Sequence, residues 1–366
     1  MHFPLPGQDS YTAAFPTKGD LRLLTFTDDM FRNSEKLFKQ FSRGICYEAL
    51  TSNSGSHTHF GEVKSMAENP EATNRGLSAF IDPEKSNAHI VDIMIEERCP
   101  TWVKHWSWPV VRPVLYSMLG YRKALRWADE IKTLPSGDAC FAYLDKALAL
   151  RVTATGLARV PARGRAVIVS NHPTGLADGS IVLAALKSVR TDVEIMANAD
   201  ACRINPRFVD VIIPVEWVQD KRTIAKTKET LRRAGATFSA ERLLIIFPSG
   251  ALAQMREGRL VDEPWLPTAV TLARKNKAPL TPLHINGKNS DLYYRFCNLN
   301  RELRDITLFH ELLNKQGDKF HLTFGKQIPW EHLAGDPQAV TDHVRDYVEN
   351  ILPKDPEKPF EPLKAE

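Results

Sequence analysis

The stretch AVIVSNHPTGLADGSIVLAAL, residues 166–186, decides the fold. Ala166–Ser170 is a β-branched apolar run of strand length, and a turn containing Pro173 and Gly175 follows it. Gly179–Val189 then has the composition of a helix, so the chain reads strand, turn, helix. The alternation continues downstream. DVEIM (192–196), VDVIIPV (209–215), RLLIIF (242–247) and APLTPLHI (278–285) read as strands. Lys221–Ala234 and Pro267–Lys275 read as helices. Short apolar strands alternating with helices predict an α/β fold, a mainly parallel central sheet flanked by helices. Asp336 is placed to cap a further helix running to about Leu352. The last fourteen residues, PKDPEKPFEPLKAE, hold four prolines and predict an extended, flexible tail. Upstream, the expectation is a mostly helical accessory region. It has a helical pattern over Thr27–Phe41, a polar loop TSNSGSHTHF (51–60) and an amphipathic element HIVDIMIEE (89–97). The chain therefore divides into an accessory region 1–99, an aromatic and basic helical segment 100–150, a core domain 151–352 and a tail 353–366.

Composition narrows the class of function. The 366 residues are 43% hydrophobic and 25% charged, which excludes a wholly disordered, collagen-like or disulfide-scaffold chain. No run approaches the ~18 apolar residues of a membrane span, and the first twenty residues lack the pattern of a secretory signal. Five cysteines, never in CxxC spacing, read as reduced thiols and predict a cytoplasmic setting. The net charge of +4 tilts the molecule toward anionic partners. Neither GxGxxG nor GxxxxGK[ST] occurs, which argues against a nucleotide enzyme. The histidines show no HExxH spacing, so no metal site is expected.

Residues 100–128 are unusual. They hold Trp102, Trp106, Trp108 and Trp127 together with Lys104, Arg112, Arg122, Lys123 and Arg126, and no acidic residue. After Pro113 a helix would place Val114, Met118, Tyr121, Leu125 and Ala128 on one face. Aromatic and basic side chains so combined suit a membrane surface, and equally a helix packed on the core. Nothing in the stretch resembles a nucleic-acid motif, so nucleic acid is not expected as a partner.

The chemistry-bearing signal is Asn171-His172-Pro173-Thr174-Gly175-Leu176-Ala177-Asp178-Gly179. A histidine at a strand end is presented at the rim of the sheet, where α/β sites form. A carboxylate folded back onto one imidazole nitrogen fixes the tautomer and leaves the other free to take a proton. No serine or cysteine nucleophile accompanies the pair, so it suits activation of a substrate's own hydroxyl or amine. The plain alternative makes Asp178 a helix N-cap and His172 a packed loop residue.

Asn171-His172…Asp178-Gly179 resembles the first motif of the glycerolipid (lysophospholipid) acyltransferases. Three further blocks follow in the family's order: Ile213-Pro214-Val215, Leu243–Ala253 (LLIIFPSGALA) and Ala278–Gly287 (APLTPLHING). The sequence departs from the usual pattern in three places. Five residues, not four, separate His172 from Asp178, a form similar to the branch that includes ornithine-lipid acyltransferases. Ser249 stands where the third block has Glu, with Ala251-Leu252 in place of Thr-Arg. Val215-Glu216-Trp217 lacks the second block's Arg, which weakens lysophosphatidic acid as acceptor.

The resemblance implies transfer of a fatty acyl group from acyl-CoA or acyl carrier protein to the hydroxyl of a lysophospholipid or lyso-aminolipid. His172 would be the general base and Asp178 its orienting partner, with no bound cofactor or metal. Asn171, Thr174, Gly175 and the turn Phe247-Pro248-Ser249-Gly250 would contact substrate, and Lys221 and Arg222 would supply positive charge. It also implies peripheral attachment at the inner face of the membrane, through Trp102, Trp106, Trp108, Arg112, Arg122, Lys123 and Arg126. Two readings compete: a non-catalytic lipid-binding protein of the same fold, and a hydrolase acting on a thioester or lipid.

Overall fold

The computed structural model describes residues 10–16, 21–27, 88–216 and 221–363. The chain divides into two compact units, Met1–Ala67 and Glu68–Glu366. In the first, β1 (Ser10–Pro16) and β2 (Leu21–Thr27) pair antiparallel, with Ser10 opposite Thr27 and Pro16 opposite Leu21. The accessory region, expected as mostly helical, thus holds a strand pair among its described residues. SYTAAFP and LRLLTFT carry the aromatic and β-branched residues of strands. The helix expected over Thr27–Phe41 lies, beyond Thr27, outside the described residues, as does the loop 51–60.

The described residues of the second unit begin with the helices α1 (Ile90–Glu96), α2 (Pro100–Lys104), α3 (Trp108–Met118), α4 (Tyr121–Lys132) and α5 (Gly137–Leu148). β3 (Arg151–Thr155), β4 (Ala166–Ser170), α6 (Leu176–Leu186), β5 (Val193–Asn198), α7 (Asp200–Ile204) and β6 (Ile212–Val215) follow. Next come α8 (Ile224–Ser239), β7 (Leu243–Ile246), a small antiparallel pair β8 (Gln254–Arg256) and β9 (Arg259–Val261), and α9 (Thr268–Lys275). β10 (Leu280–Asn286), α10 (Asp291–Leu299), α11 (Arg301–Ile306), α12 (Leu308–Leu313), β11 (Lys319–Phe324) and α13 (Pro337–Asp346) complete the unit.

Seven strands form one sheet in the order β3-β11-β10-β4-β7-β5-β6. β10, β4, β7, β5 and β6 run parallel, and β11 joins β10 antiparallel. The central strands β4 and β7 are buried throughout, which is why AVIVS and LLII are continuous apolar runs rather than alternating ones. Period two still sorts their side chains. Val167, Val169, Leu244 and Ile246 pack with Phe238 and Trp265 on one face. Ala166, Ile168, Leu243 and Ile245 pack with Ile181 and Leu186 on the other. Pro214 is tolerated because β6 is an edge strand.

Two further expectations are corrected. The helix foreseen after Pro113 is two helices, because Gly120 adopts φ 72° and ends α3. The inward residues are consequently Trp108, Leu115 and Tyr116, then Ala124, Trp127, Ala128 and Ile131. The proline-rich tail is docked rather than frayed. Phe360 is buried against Tyr347 and His343, and the Tyr347 hydroxyl donates to the Lys358 carbonyl at 2.6 Å. Asp336 caps α13 as expected, accepting the Ala339 N–H at 2.9 Å.

Candidate active site

β4 ends in the middle of the sheet and delivers Asn171 and His172 to its carboxyl rim. Gly175, at φ 78°, turns the chain into α6, and a Cβ there would lie 2.7 Å from the Leu252 side chain. The helix begins at Leu176, two residues before Asp178, so Asp178 sits in its first turn and is not the N-cap residue. Its carboxylate points back into the turn. Oδ2 accepts the N–H of Thr174 at 3.0 Å and of Gly175 at 2.9 Å, and Oδ1 accepts the Thr174 hydroxyl. Nδ1 of His172 lies 2.9 Å from Oδ2. Surrounded by donors, the carboxylate makes Nδ1 the protonated ring nitrogen, which leaves Nε2 with a free lone pair. Asp178 is fully buried while 18% of the His172 side chain is exposed, so only the histidine meets solvent or substrate.

The flanking residues hold the imidazole in place. Phe247, first in the turn after β7, stacks on it with ring centroids 4.5 Å apart. Asn171 clamps β4 to β10: its Oδ1 accepts the Ile285 N–H at 2.8 Å and its Nδ2 donates to the Ile285 carbonyl at 3.0 Å. Of the residues expected to contact substrate, Thr174 and Gly175 bond to Asp178, Phe247 stacks on His172, and Asn171 bonds to β10. The Ser249 hydroxyl donates to the Ala251 carbonyl at 2.8 Å, the Pro248 carbonyl accepts the Leu266 N–H, and the Gly250 N–H donates to the Phe247 carbonyl. These bonds shape the Phe-Pro-Ser-Gly turn beside the histidine.

Lys221 and Arg222 are not brought to the dyad. They follow β6, three strands and roughly 14 Å across the sheet from β4 at the usual strand spacing. Lys221 Nζ lies 3.2 Å from Glu97, and Arg222 Nε donates to the Glu216 carbonyl. The expected membrane-binding set is also divided. Trp106 is 80% exposed, and Arg112, Arg122 and Arg126 are exposed. Trp102 is half-buried. Trp108 and Trp127 are buried, edge-on to Tyr116 and Tyr143 respectively, so they belong to the core and not to a membrane-facing surface. Lys123 lies over the Trp127 ring and donates to the Leu313 carbonyl at 3.0 Å.

Two groups of polar residues escaped the sequence reading. Asp262, just after β9, is almost fully buried, and both its oxygens lie 3.1 Å from the backbone nitrogen of His172. Its Oδ2 also accepts the Trp265 indole N–H at 2.9 Å. Burial pushes its carboxyl up to about 6, against the hydrogen bonds from Trp265 and His172. Glu349, which accepts the Asp262 N–H, is likewise raised by burial, with Arg345 opposing. Behind the turn, buried Glu311 accepts both the N–H (2.8 Å) and the hydroxyl (2.6 Å) of Ser290 and pairs with buried Lys315 at 3.1 Å. Burial opposes ionisation of Glu311, yet these bonds hold it below the usual carboxylate range. With its amide nitrogen turned toward acceptors, Asn289 donates to Glu311 at 3.1 Å and to the Thr174 carbonyl at 3.3 Å, tying this network to the catalytic turn. The lone Asp262 between Val261 and Glu263 gives no local sign of its partner ninety residues upstream.

No cluster of three or more His, Cys, Asp or Glu placed to hold a metal occurs among the described residues. Nor is any described helix long and apolar enough to cross a membrane.

A solvent-accessible imidazole, locked by a buried carboxylate at the centre of a parallel sheet, has the arrangement a general base needs. Comparison with known proteins gives the family. The acyltransferase family model matches residues 123–352, and the chain belongs to this family. It is similar to the lyso-glycine lipid O-acyltransferase of Phocaeicola vulgatus, 28% identical over 220 residues, covering 58% of this chain and 75% of that protein. The corresponding enzyme of Bacteroides thetaiotaomicron is 26% identical over 220 residues, covering 58% and 77%. Among solved structures, the 1-acyl-sn-glycerophosphate (LPA) acyltransferase PlsC from Thermotoga maritima aligns at 14% identity and TM-score 0.39, over 78% of this chain and 96% of that one. That likeness is too slight to bear on substrate or mechanism.

Proposed function

We propose that this O-acyltransferase moves a fatty acyl group from a thioester, acyl-CoA or acyl carrier protein, to the hydroxyl of a lyso-aminolipid. The observation that carries the mechanism is the 2.9 Å Nδ1–Oδ2 bond between His172 and Asp178. Nε2 takes the proton of the acceptor hydroxyl as its oxygen attacks the thioester carbonyl. The tetrahedral oxyanion collapses and expels the thiolate, which recovers the proton from Nε2. Asp178 keeps the ring oriented and stabilises its charged form throughout, as in triad logic. The acceptor class rests on the two similar lyso-glycine lipid enzymes and on the missing second-block arginine.

Membrane approach is assigned to the exposed members of the aromatic and basic segment, Trp106, Arg112, Arg122 and Arg126, which suit the inner face of an anionic bilayer. The deciding experiment supplies acyl-CoA or acyl carrier protein thioester with lyso-glycine lipid. Wild type should form the diacylated product, and His172→Ala should lose roughly 10²–10⁴-fold in turnover. Free fatty acid released without acceptor would identify a hydrolase. Lipid binding with no transfer, insensitive to His172→Ala, would identify a binding protein.

A further inference from the structure

The imidazole of His172 is aimed by two contacts on its ring, Asp178 at Nδ1 and Phe247 on its face. Those contacts hold only if the backbone beneath the ring is also fixed, and at His172 the sheet no longer fixes it. The ladder between β4 and β7 ends at Val169, and that between β4 and β10 ends at Ser170. The N–H and C=O of His172 therefore need partners from outside the sheet.

Both partners come from the excursion between β7 and α9. The His172 carbonyl accepts the N–H of Ala253, just before β8, at 3.0 Å. The His172 N–H is shared between the two oxygens of Asp262, just after β9, at 3.1 Å from each. Asp262 is in turn held at each of its polar groups. Its Oδ2 accepts the N–H of the buried Trp265 indole at 2.9 Å. Its own N–H donates to Glu349 at 3.3 Å, and its carbonyl accepts from the Arg345 guanidinium. Arg345, in α13, pairs with Glu349 at 3.2 Å, and Gln338 at the start of α13 donates to the Trp265 carbonyl at 3.0 Å. A continuous line of hydrogen bonds thus runs from α13 through Asp262 to the backbone of the base.

We infer that Asp262 is a positioning residue for acyl transfer, anchoring the His172 backbone to α13 so that Asp178 keeps Nδ1 and Nε2 stays open to the acceptor hydroxyl. The inference rests on the general-base reading of His172 above and adds a second carboxylate that acts through the main chain of that residue, not on substrate. A displacement of about 1 Å in such a group costs roughly 10²-fold in rate.

The test uses the full chain. Asp262→Ala should lose about 10²-fold in kcat, with both KM values within about twofold of wild type. Asp262→Leu, which fills the volume without an acceptor, should do the same and stands in if the alanine variant does not fold. Asp262→Asn keeps an acceptor on the His172 N–H and should stay within about fivefold. In a His172→Ala background, adding Asp262→Ala should change the residual rate by less than about twofold, because the residue to be positioned is gone. A readout that needs no acceptor is the ring ¹⁵N spectrum near pH 8, where an imidazole is neutral, with His172 assigned by its loss in His172→Ala. Wild type should show one Nδ1-protonated tautomer, and Asp262→Ala a mixture. A single tautomer in Asp262→Ala, an Asn variant as slow as the Ala variant, a raised KM with unchanged kcat, or losses that multiply in the double variant would each overturn the inference. If His172→Ala is itself fully active, the general-base reading falls and this inference with it. If His172→Ala is inactive while Asp262→Ala keeps its kcat, only this inference falls.

Discussion

Replacing Asp262 by Asn should flatten the acid side of the stability profile while leaving the protein folded. Burial raises this carboxyl from an ordinary 3.8 to about 6, so between those values the native state holds a proton that the unfolded chain has lost. Stability falls with rising pH wherever the native state binds more protons. The contribution is therefore fully favourable below about pH 4 and declines as pH rises through 6. Two units at ~1.4 kcal/mol each make that decline roughly 3 kcal/mol. The amide introduced by Asp262→Asn cannot titrate, and one of its ends must face a donor, either the His172 N–H or the Trp265 indole. Against the protonated wild-type carboxyl that is the loss of one bond to a neutral acceptor, about 0.5–1.5 kcal/mol, while the ~3 kcal/mol ionisation penalty disappears. The variant should then lie about 1 kcal/mol below wild type at pH 4 and roughly 2 kcal/mol above it near pH 7, where only wild type carries the ionisation penalty. Denaturant unfolding of both proteins from pH 4 to 7.5 reads the difference directly, because Glu349 and every other titrating group remain in both. Parallel stability profiles would refute the reasoning: Asp262 would then ionise in the native state much as it does in the unfolded chain.

The other expected outcomes concern the network behind the catalytic turn and the membrane-facing helices. Glu311→Gln leaves Lys315, only 3% exposed, without its counter-charge, and should cost about 3–5 kcal/mol in unfolding free energy. A loss below 1 kcal/mol would show that water reaches Lys315. Arg122→Glu/Arg126→Glu should abolish co-sedimentation with vesicles containing anionic lipid and spare activity on a micellar acceptor, since neither side chain touches the dyad. Unchanged vesicle binding would move the contact surface elsewhere.

How much of this was legible beforehand depended on whether the signal was local. The sheet was legible because its central strands are buried on both faces, so AVIVS and LLII advertise themselves without any partner. β3 and β11 were missed because they lie at the sheet's margin, where RVTAT and KFHLTF mix exposed and buried residues. In the aromatic segment, side-chain type did not say which tryptophans face inward. The break at Gly120 resets the helical phase, and a single helix carried through from Pro113 selects the wrong face. The tail was misread because proline content reports what a segment cannot form, not whether a lone Phe360 finds a pocket to fill.

The dyad was legible and its surroundings were not, for one physical reason. His172 and Asp178 are six positions apart, and the extra residue in that spacing is absorbed inside the turn. Gly175 adopts a positive φ, α6 starts at Leu176, and the first helical turn carries the Asp178 carboxylate back over the residues before it. A close approach to Leu252 makes Gly175 the residue on which this geometry depends. The hydrogen bonds that aim Asp178 come from Thr174 and Gly175, within the same ten residues as the motif itself. The supports one step further out come from Phe247 after β7, Asp262 after β9, Asn289 after β10 and Glu311 in α12. Their positions are set by the order of strands in the sheet, and that order is not encoded in the spacing of any short stretch. Residues such as Thr174 and Asn171 therefore look from the sequence like groups that touch substrate, because they flank the base. In the folded chain their side chains bond to Asp178 and Ile285 respectively, while an edge of His172 stays open to solvent.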